Sequence, residues 1–169
     1  MIKNWLTPVT AALAVVAFGF AAWAGVSWYG ATHDDAITYA QTRDDVLRVA
    51  RVGITNFRTL DHTKPDEGLN RWLESSTGTL HDEIARDLEA GKQRIVDART
   101  TSSSTLLDAA VTELDDRAGT ARVIAVMQTA VTPEGGDAAT KFERYQAELQ
   151  RTDAGWKLSA IGPVAAGGA

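Results

Sequence analysis

The chain has 169 residues, of which 44% are hydrophobic, and a formal net charge of -5. This length provides for one globular domain, alone or behind one membrane segment, and excludes two full domains with an anchor. The chain contains no cysteine, which excludes disulfides, lipoprotein-type acylation, thiolate metal sites and cysteine nucleophiles.

Charged side chains lie almost wholly in the second part of the chain. None occurs between Lys3 and Asp34, so 16 basic and 22 acidic side chains lie from Asp34 onward and give that part a net charge of -6. Acids and bases are interleaved there, as in "RDDVLR" and "HDEIARDLEAGKQR". Phosphate binding needs basic side chains clustered on one face. We therefore expect no nucleic-acid partner.

The apolar segment from Val9 to Tyr29 is long enough for a membrane span, since about 20 apolar residues cross a bilayer. Trp5 on one side and Trp28 and Tyr29 on the other suit aromatic anchors at the two membrane interfaces. Residues 1–33 are therefore predicted to form a cytosolic stub and one transmembrane helix. We expect a single-pass protein of the bacterial cell membrane, with a cytoplasmic N-terminus and an extracytoplasmic C-terminal domain.

A cleaved signal peptide is the alternative interpretation of this segment, because Ala22-Trp23-Ala24 has the small-x-small pattern of a cleavage site. The apolar core is longer than that of a typical signal peptide, and only one lysine precedes it. Retention is therefore favoured. Ala17, Ala21 and Gly25 recur every four residues and could contact a partner helix in the membrane, although an alanine-rich span alone explains the same pattern.

The first half of the outer domain, residues 34–164, has the apolar spacing of helices. A long helix is expected from Asp34 to about Asp61, and a short one after Lys64-Pro65. A third is expected before Gly91, which should interrupt or end it. The apolar residues of these three patterns are Leu47, Ala50, Ile54 and Phe57, then Leu69, Trp72 and Leu73, and last Leu80, Ile84 and Leu88.

Four β-rich segments follow the Ser/Thr run 100–105, which is read as a loop or the start of a strand. They cover about residues 106–114, 120–131, 141–150 and 156–161, and glycine-containing turns separate them. Tyr145, Ala147 and Leu149 alternate with polar residues, which predicts one buried and one solvated face. The sequence therefore predicts an α+β fold, in which helices pack on a curved, cone-like antiparallel sheet of about four strands. Residues 165–169 are expected to be a flexible tail.

No catalytic, cofactor-binding or metal-ligating constellation stands out. His33, His62 and His81 are far apart and lack metal-ligand spacing. Paired carboxylates are interpreted as solvated; the pairs are Asp34-Asp35, Asp44-Asp45 and Asp115-Asp116. Some aromatic residues could line an apolar pocket, although core packing is the commoner role; they are Tyr39, Phe57, Trp72, Tyr145 and Trp156. We expect no enzymatic activity and no cofactor.

Three stretches resemble the bacterial Mce-associated membrane proteins: "YAQTRDDVLRVARVGITNFRTLD", "LNRWLESSTGTLHDEI" and "DAGWKLSAIGPV". The resemblance implies one N-terminal transmembrane helix and a cone-shaped domain similar to nuclear-transport-factor-like domains. It also implies that Phe57 and Leu60 pack under the sheet, and that Asp61 accepts backbone hydrogen bonds where the chain turns. Trp156 and Leu158 would occupy the inner face of the last strand. The Lys-Pro bend before the second helix departs from the family pattern.

The resemblance implies an accessory role, because such proteins assist the Mce complexes that move lipids or sterols across the envelope. The expected function is thus a non-enzymatic, membrane-anchored accessory or scaffold subunit of an Mce-type lipid transport complex. Its expected partners are the bilayer and Mce transporter subunits. Self-association into a homo-oligomer is left as an open alternative. Two alternatives remain: an assembly component of a type IV secretion or conjugation machine, and a small domain that binds an apolar ligand.

Overall fold

The computed structural model describes residues 16–28 and 35–164. Residues 16–28 form a helix, α1. The predicted span from Val9 to Tyr29 lies partly outside the described residues. The predicted anchors Trp5 and Tyr29 lie wholly outside them. Within the two described ranges, no helix is both long and apolar enough to cross a membrane. The transmembrane helix stays a prediction.

The chain divides into two compact units, Met1–Gln41 and Thr42–Ala169. In the first unit, the side chains of α1 are almost all exposed, and the rings of Phe20 and Trp23 lie 5.9 Å apart. The second unit contains the sheet and the later helices, the first of which begins within the first unit.

Helix α2 covers Asp35–Arg58, close to the predicted range. Val46, Ala50 and Ile54 have no exposed surface. Their spacing of four residues places them on one face of the helix, which packs into the core of the second unit. Arginine and aspartate side chains cover the opposite, solvated face.

Three short helices follow: α3 (Pro65–Ser75), α4 (Gly78–Arg86) and α5 (Leu88–Ala98). Helix α3 begins at the expected proline, which lacks the N–H that a first helical residue would leave unpaired. The prediction that Gly91 ends a helix is wrong. The break comes at Asp87, and Gly91 lies inside α5, where an added Cβ would be 3.8 Å from Leu69 Cδ2 of α3.

The four strands are β1 (Thr100–Asp115), β2 (Thr120–Pro133), β3 (Ala139–Thr152) and β4 (Gly155–Pro163). They form one antiparallel meander in the order β1-β2-β3-β4. The predicted four-stranded sheet is confirmed, and the Ser/Thr run belongs to β1. Gly119 and Gly135, between the strands, and Gly155, at the start of β4, have positive φ, as tight hairpins require.

The two faces of the sheet differ in burial. On the inner face, Met127 of β2, Ala147 of β3 and Leu158 of β4 have no exposed surface. They belong to one core with the buried face of α2. The alternation predicted for β3 is confirmed. Thus the α+β architecture follows from a helical stripe packed on one face of a strand meander.

Backbone hydrogen bonds tie the helical connections to the sheet. Leu60, after α2, exchanges two bonds of 2.9 and 2.8 Å with Ser102 of β1. Thr77, between α3 and α4, donates to the Leu158 carbonyl of β4 at 2.8 Å. These bonds satisfy backbone groups at the two edge strands.

Candidate protein-interaction surface

The inner face of the sheet is occupied by the core. Ile54, Met127 and Leu158 have no exposed surface and pack in one cluster. Core side chains at native density leave few voids larger than a water molecule. The inner face therefore serves packing.

The aromatic residues considered as pocket-lining do not all come together at one site. Phe57 and Trp72 stack with ring centroids 5.3 Å apart. Trp72 borders a groove between α3, α4 and α5, whereas Trp156 borders a different groove beside α2. Tyr145 is buried in the core, and Tyr39, in the first unit, is 48% exposed. Phe57, Trp72, Tyr145 and Trp156 thus do not line one cavity.

The C-terminal end of α2 is fixed by polar contacts on the inner face. Arg58 Nη2 donates to Glu143 Oε2 at 2.8 Å, and the guanidinium carbon lies 4.8 Å from the centroid of the Tyr145 ring. Arg58 Nε is buried without a hydrogen-bond partner among the described residues. Burial raises the pKa of Tyr145. A cation in the last turn is also favoured by the helix dipole, so the cluster is read as a structural anchor.

A buried hydroxyl pair supports the same helix end. Ser104 Oγ donates to the Arg58 carbonyl at 2.9 Å and lies 2.8 Å from Thr129 Oγ1. Both hydroxyl-bearing residues are buried. Since buried polar groups need partners, this pair specifies how α2 meets β1 and β2.

The turn after α2 and the last strand have most of the contacts that the resemblance implied. Asp61 Oδ1 accepts the Thr63 backbone N–H at 2.9 Å and its hydroxyl at 2.8 Å. The backbone hydrogen bond lowers the pKa of Asp61. Leu158 is buried, and Phe57 and Trp156 are half-buried against the core. Leu60 is half-buried, but its side chain lies against Gly68 of α3 and not under the sheet. These residues serve folding.

The predicted carboxylate pairs lie on the surface. Asp44 and Asp45 pair with neighbouring arginines on the exposed face of α2. Asp115 Oδ1 accepts two backbone N–H groups in the first hairpin turn, and Asp116 pairs with Arg151. The interpretation of these two pairs as solvated is confirmed, whereas the side chains of the third pair, Asp34-Asp35, lie outside the described residues.

Of the three histidines, His33 lies outside the described residues. His62 Nδ1 lies 3.1 Å from the hydroxyl of Thr101, and His81 is half-exposed. No group of three or more histidine, aspartate or glutamate side chains that could hold a metal ion occurs in the ranges 16–28 and 35–164.

The small residues proposed for helix contact lie on α1. Ala17, Ala21 and Gly25 are exposed, and a Cβ added at Gly25 would have no atom within 4 Å. Trp28, one of the predicted interface anchors, is 74% exposed. The roles of these residues in the membrane stay predictions.

The outer face of the sheet carries apolar side chains that the fold leaves uncovered. Phe142 of β3 is 70% exposed, and Ile124 and Val126 of β2 are 43% and 38% exposed. Ile124 and Val126 line a shallow depression of about 200 Å³ together with Ala110 and Val164. We call these five residues the outer-face patch: Ala110, Ile124, Val126, Phe142 and Val164. Such an apolar area on a small domain is typical of an interaction site.

The sequence of β2 itself indicates this patch. The run Val123–Met127 is apolar at every position, so β2 is apolar on both faces. Such a run is typical of a strand that is covered on both sides. A bulge in β1 between Leu106 and Asp108 adds a further exposed apolar side chain, Leu107.

Opposite charges flank the patch. Asp108 of β1 and Arg144 of β3 are both paired in register with Val126 of β2, one on each side. Neither side chain forms an ion pair with a described residue. Asp108 Oδ1 accepts only the adjacent Ala109 N–H, at 2.8 Å. Both charges are therefore available to a partner.

One end of the patch is bounded by a ladder of ion pairs. Arg122 of β2 binds Glu113 of β1 and Glu148 of β3. These side chains are paired in register across three strands. The ladder holds one arginine between two carboxylates and keeps a net charge of -1, so it forms a polar rim.

Solved structures of low sequence identity share this fold. The periplasmic domain of DotI has 13% identity and a TM-score of 0.57, with 70% of this chain and 94% of that chain covered. An IcmL-like type IV secretion system protein from Legionella pneumophila has 9% identity and a TM-score of 0.57, covering 75% and 96%. The VirB8 protein of Agrobacterium tumefaciens has 7% identity and a TM-score of 0.54, covering 76% and 96%.

Comparison with curated proteins gave no match. A family model matches almost the whole chain, from residue 6 to residue 164. The match covers both the apolar N-terminal segment and the α+β domain. The chain therefore belongs to the family described as "Uncharacterized protein Rv1363c/MT1408-like".

Proposed function

We propose that the chain is a non-enzymatic subunit that binds other proteins within an assembly of the bacterial envelope. In this proposal residues 9–29 anchor it in the cell membrane, and the α+β domain lies outside the cytoplasm. The outer-face patch carries the proposal, because it is apolar, is not used by the core, and is flanked by charges that form no ion pair with the described residues. Exposed apolar area of this kind is typical of a protein-binding surface.

The structural neighbours support an assembly role of the kind found in type IV secretion. The DotI structure is that of a periplasmic domain, and the IcmL-like protein is described as a type IV secretion system protein. Their identity with this chain is 13% or lower, which supports the same fold, whereas the role is our proposal. This is the first candidate for the assembly.

An Mce-type lipid transport complex is the second candidate. It is supported by the stretch "NFRTLD", which covers the end of α2 and the turn after it, and by the closing strand "DAGWKLSAIGPV". Both stretches resemble Mce-associated proteins. Both candidates require the same physical property, a stable domain that presents a binding surface. They differ in the identity of the partner.

Affinity purification of the full chain tests the proposal. A C-terminal tag is added, the protein is extracted from its native membranes in mild detergent, and its intact mass and co-purifying proteins are determined. We expect an uncleaved chain of 18.1 kDa plus the mass of the tag, with specific partner proteins. Secretion-machine subunits would support the first candidate, and Mce transporter subunits the second.

Two matched variants connect the partners to the patch. V126K places a charge in the patch, whereas T120K places the same charge on the same strand at an exposed position away from it. We expect V126K to lose the partners and T120K to keep them. If V126K and the wild-type chain retain the same partners, the patch is not the binding surface and the proposal fails.

A further inference from the structure

The charges beside the outer-face patch are arranged so that the patch is complementary to itself. Asp108, Val126 and Arg144 form one row across β1, β2 and β3. The acid lies one strand to one side of Val126, and the base lies one strand to the other side. Neighbouring strands are about 4.8 Å apart, so the backbone of each charged residue lies about 5 Å from the backbone of β2.

We infer that the outer-face patch binds a second copy of this chain, with the two sheets packed face to face. The inference rests on the proposed function, because it names the partner of the surface described there. A two-fold axis that passes between the two sheets and runs nearly along β2, about 15° from it, exchanges the β1 side with the β3 side. Asp108 of each copy then faces Arg144 of the other, and Val126 faces its own equivalent.

The alternative two-fold axis, perpendicular to the strands, would bring like charges opposite each other. It would place each Asp108 opposite the same residue of the second copy, and each Arg144 opposite its equivalent. Like charges brought together in an interface oppose association. The position of the two charges therefore selects one orientation of the second copy, with parallel β2 strands.

The position of the ion-pair ladder agrees with an interface centred on Val126. Aligned sheets pack about 10 Å apart and cross at about 30°, so side chains far from the crossing point diverge. The ladder centred on Arg122 lies four residues along β2 from Val126. Its charges then lie at the edge of the interface, where they stay in water. In the other direction along β2, Gln128 and Phe142 form an uncharged row.

Charge reversal in the full chain tests the pairing. Native mass spectrometry of the detergent-solubilised chain at a series of concentrations should give a wild-type dimer of two 18.1 kDa subunits. D108R and R144D each create two like-charge contacts per dimer. Each should raise the dimer dissociation constant at least about tenfold.

The double variant D108R/R144D separates the inference from misfolding. It restores both opposite-charge contacts with their signs exchanged, so its dissociation constant should return to within about threefold of the wild-type value. Mixing D108R with R144D, which carry different tags, should also give a mixed dimer. V126K should be monomeric, and T120K should dimerise as the wild-type chain does.

Three outcomes would overturn the inference. They are a wild-type monomer, a dimer that persists unchanged in V126K, and a double variant no tighter than the single ones. Failure of the proposed function is distinguishable. A monomer that still co-purifies other proteins overturns only the pairing, whereas a patch-dependent dimer without other partners supports the pairing and overturns the proposed function.

Discussion

Replacement of Gly53 by alanine tests how closely α2 packs on the sheet. A Cβ added at Gly53 would lie 2.7 Å from Cδ1 and 3.1 Å from Cγ of Leu158. Leu158 has no exposed surface, so its side chain has little free space into which to turn. The glycine is thus needed for close approach of the helix to β4.

Two effects of opposite sign decide the result for G53A. Alanine within a helix is favoured over glycine by about 1 kcal/mol. Adding a methyl group to a closely packed core typically costs about 1–3 kcal/mol. We therefore expect G53A to lower the free energy of unfolding by about 1 kcal/mol, with a range of about 0–2 kcal/mol.

Gly91 provides a matched control within another helix. There an added Cβ would lie 3.8 Å from Leu69 Cδ2, which is an ordinary van der Waals distance. The helical preference of alanine should then act almost alone, so G91A should raise the free energy of unfolding by about 0.5–1 kcal/mol. The two substitutions are chemically identical, and only their surroundings differ.

Equilibrium denaturation of the full chain in detergent measures both effects. A double-mutant cycle with L158A isolates the proposed contact, since L158A alone should cost about 2–5 kcal/mol. G53A/L158A should be more stable than the sum of the single changes implies, by about 1 kcal/mol. A G53A chain as stable as G91A, or a cycle with no coupling, would refute the close approach.

Three further changes test polar contacts. D61A should lower the free energy of unfolding more at pH 7 than at pH 2.5. The pKa of Asp61 is lowered in the folded chain, so its carboxylate stabilises the fold until the pH falls far enough to protonate it. An equal effect of D61A at both pH values would contradict this. The raised pKa of Tyr145 predicts that the free energy of unfolding falls as pH rises above about 10. Y145F should reduce that fall. If urea titrations at pH 9 and 11 give the same fall for Y145F and the wild-type chain, burial of Tyr145 is not the cause. S104A should cost about 1–3 kcal/mol, whereas S104A/T129V should cost less than the sum of its parts; strict additivity in denaturant unfolding would exclude the hydroxyl pair.

The regular elements could be predicted because each has a single buried face. Ala50 and Ile54 follow the period of a helix, and Tyr145 and Ala147 follow the period of a strand. The glycine in the last hairpin turn, Gly155, has the positive φ that its sequence context indicated. Local periodicity was sufficient wherever one side of an element meets the core and the other meets water.

The boundary near Gly91 could not be predicted from local propensity. A glycine inside a helix costs about 1 kcal/mol, which tertiary contacts can exceed. In α5 the neighbouring Lys92 binds Asp66 of α3 at 2.7 Å, and Ile95 is buried. The helix therefore continues through the glycine because of residues distant in sequence.

The interaction surface was harder to predict than the core, because it depends on strand register. Asp108 and Arg144 are separated by a whole strand and two turns in sequence, yet the register places both beside Val126. The bulge in β1 determines this alignment, and the sequence does not identify its position. Single charges on exposed strand positions are otherwise typical of an ordinary solvated face.

The two faces of β2 separate folding from association. Val123, Ala125 and Met127 point into the core and stabilise the domain, whereas Ile124 and Val126 remain partly in water. The outward residues stabilise only a state in which something covers them, at about 25 cal/mol per Å² of apolar area buried. V126K should therefore change association while leaving the unfolding free energy of the monomer within about 0.5 kcal/mol of the wild-type value. A large loss of monomer stability in V126K would mean that the outer face belongs to the fold and would remove the reason for assigning it a partner.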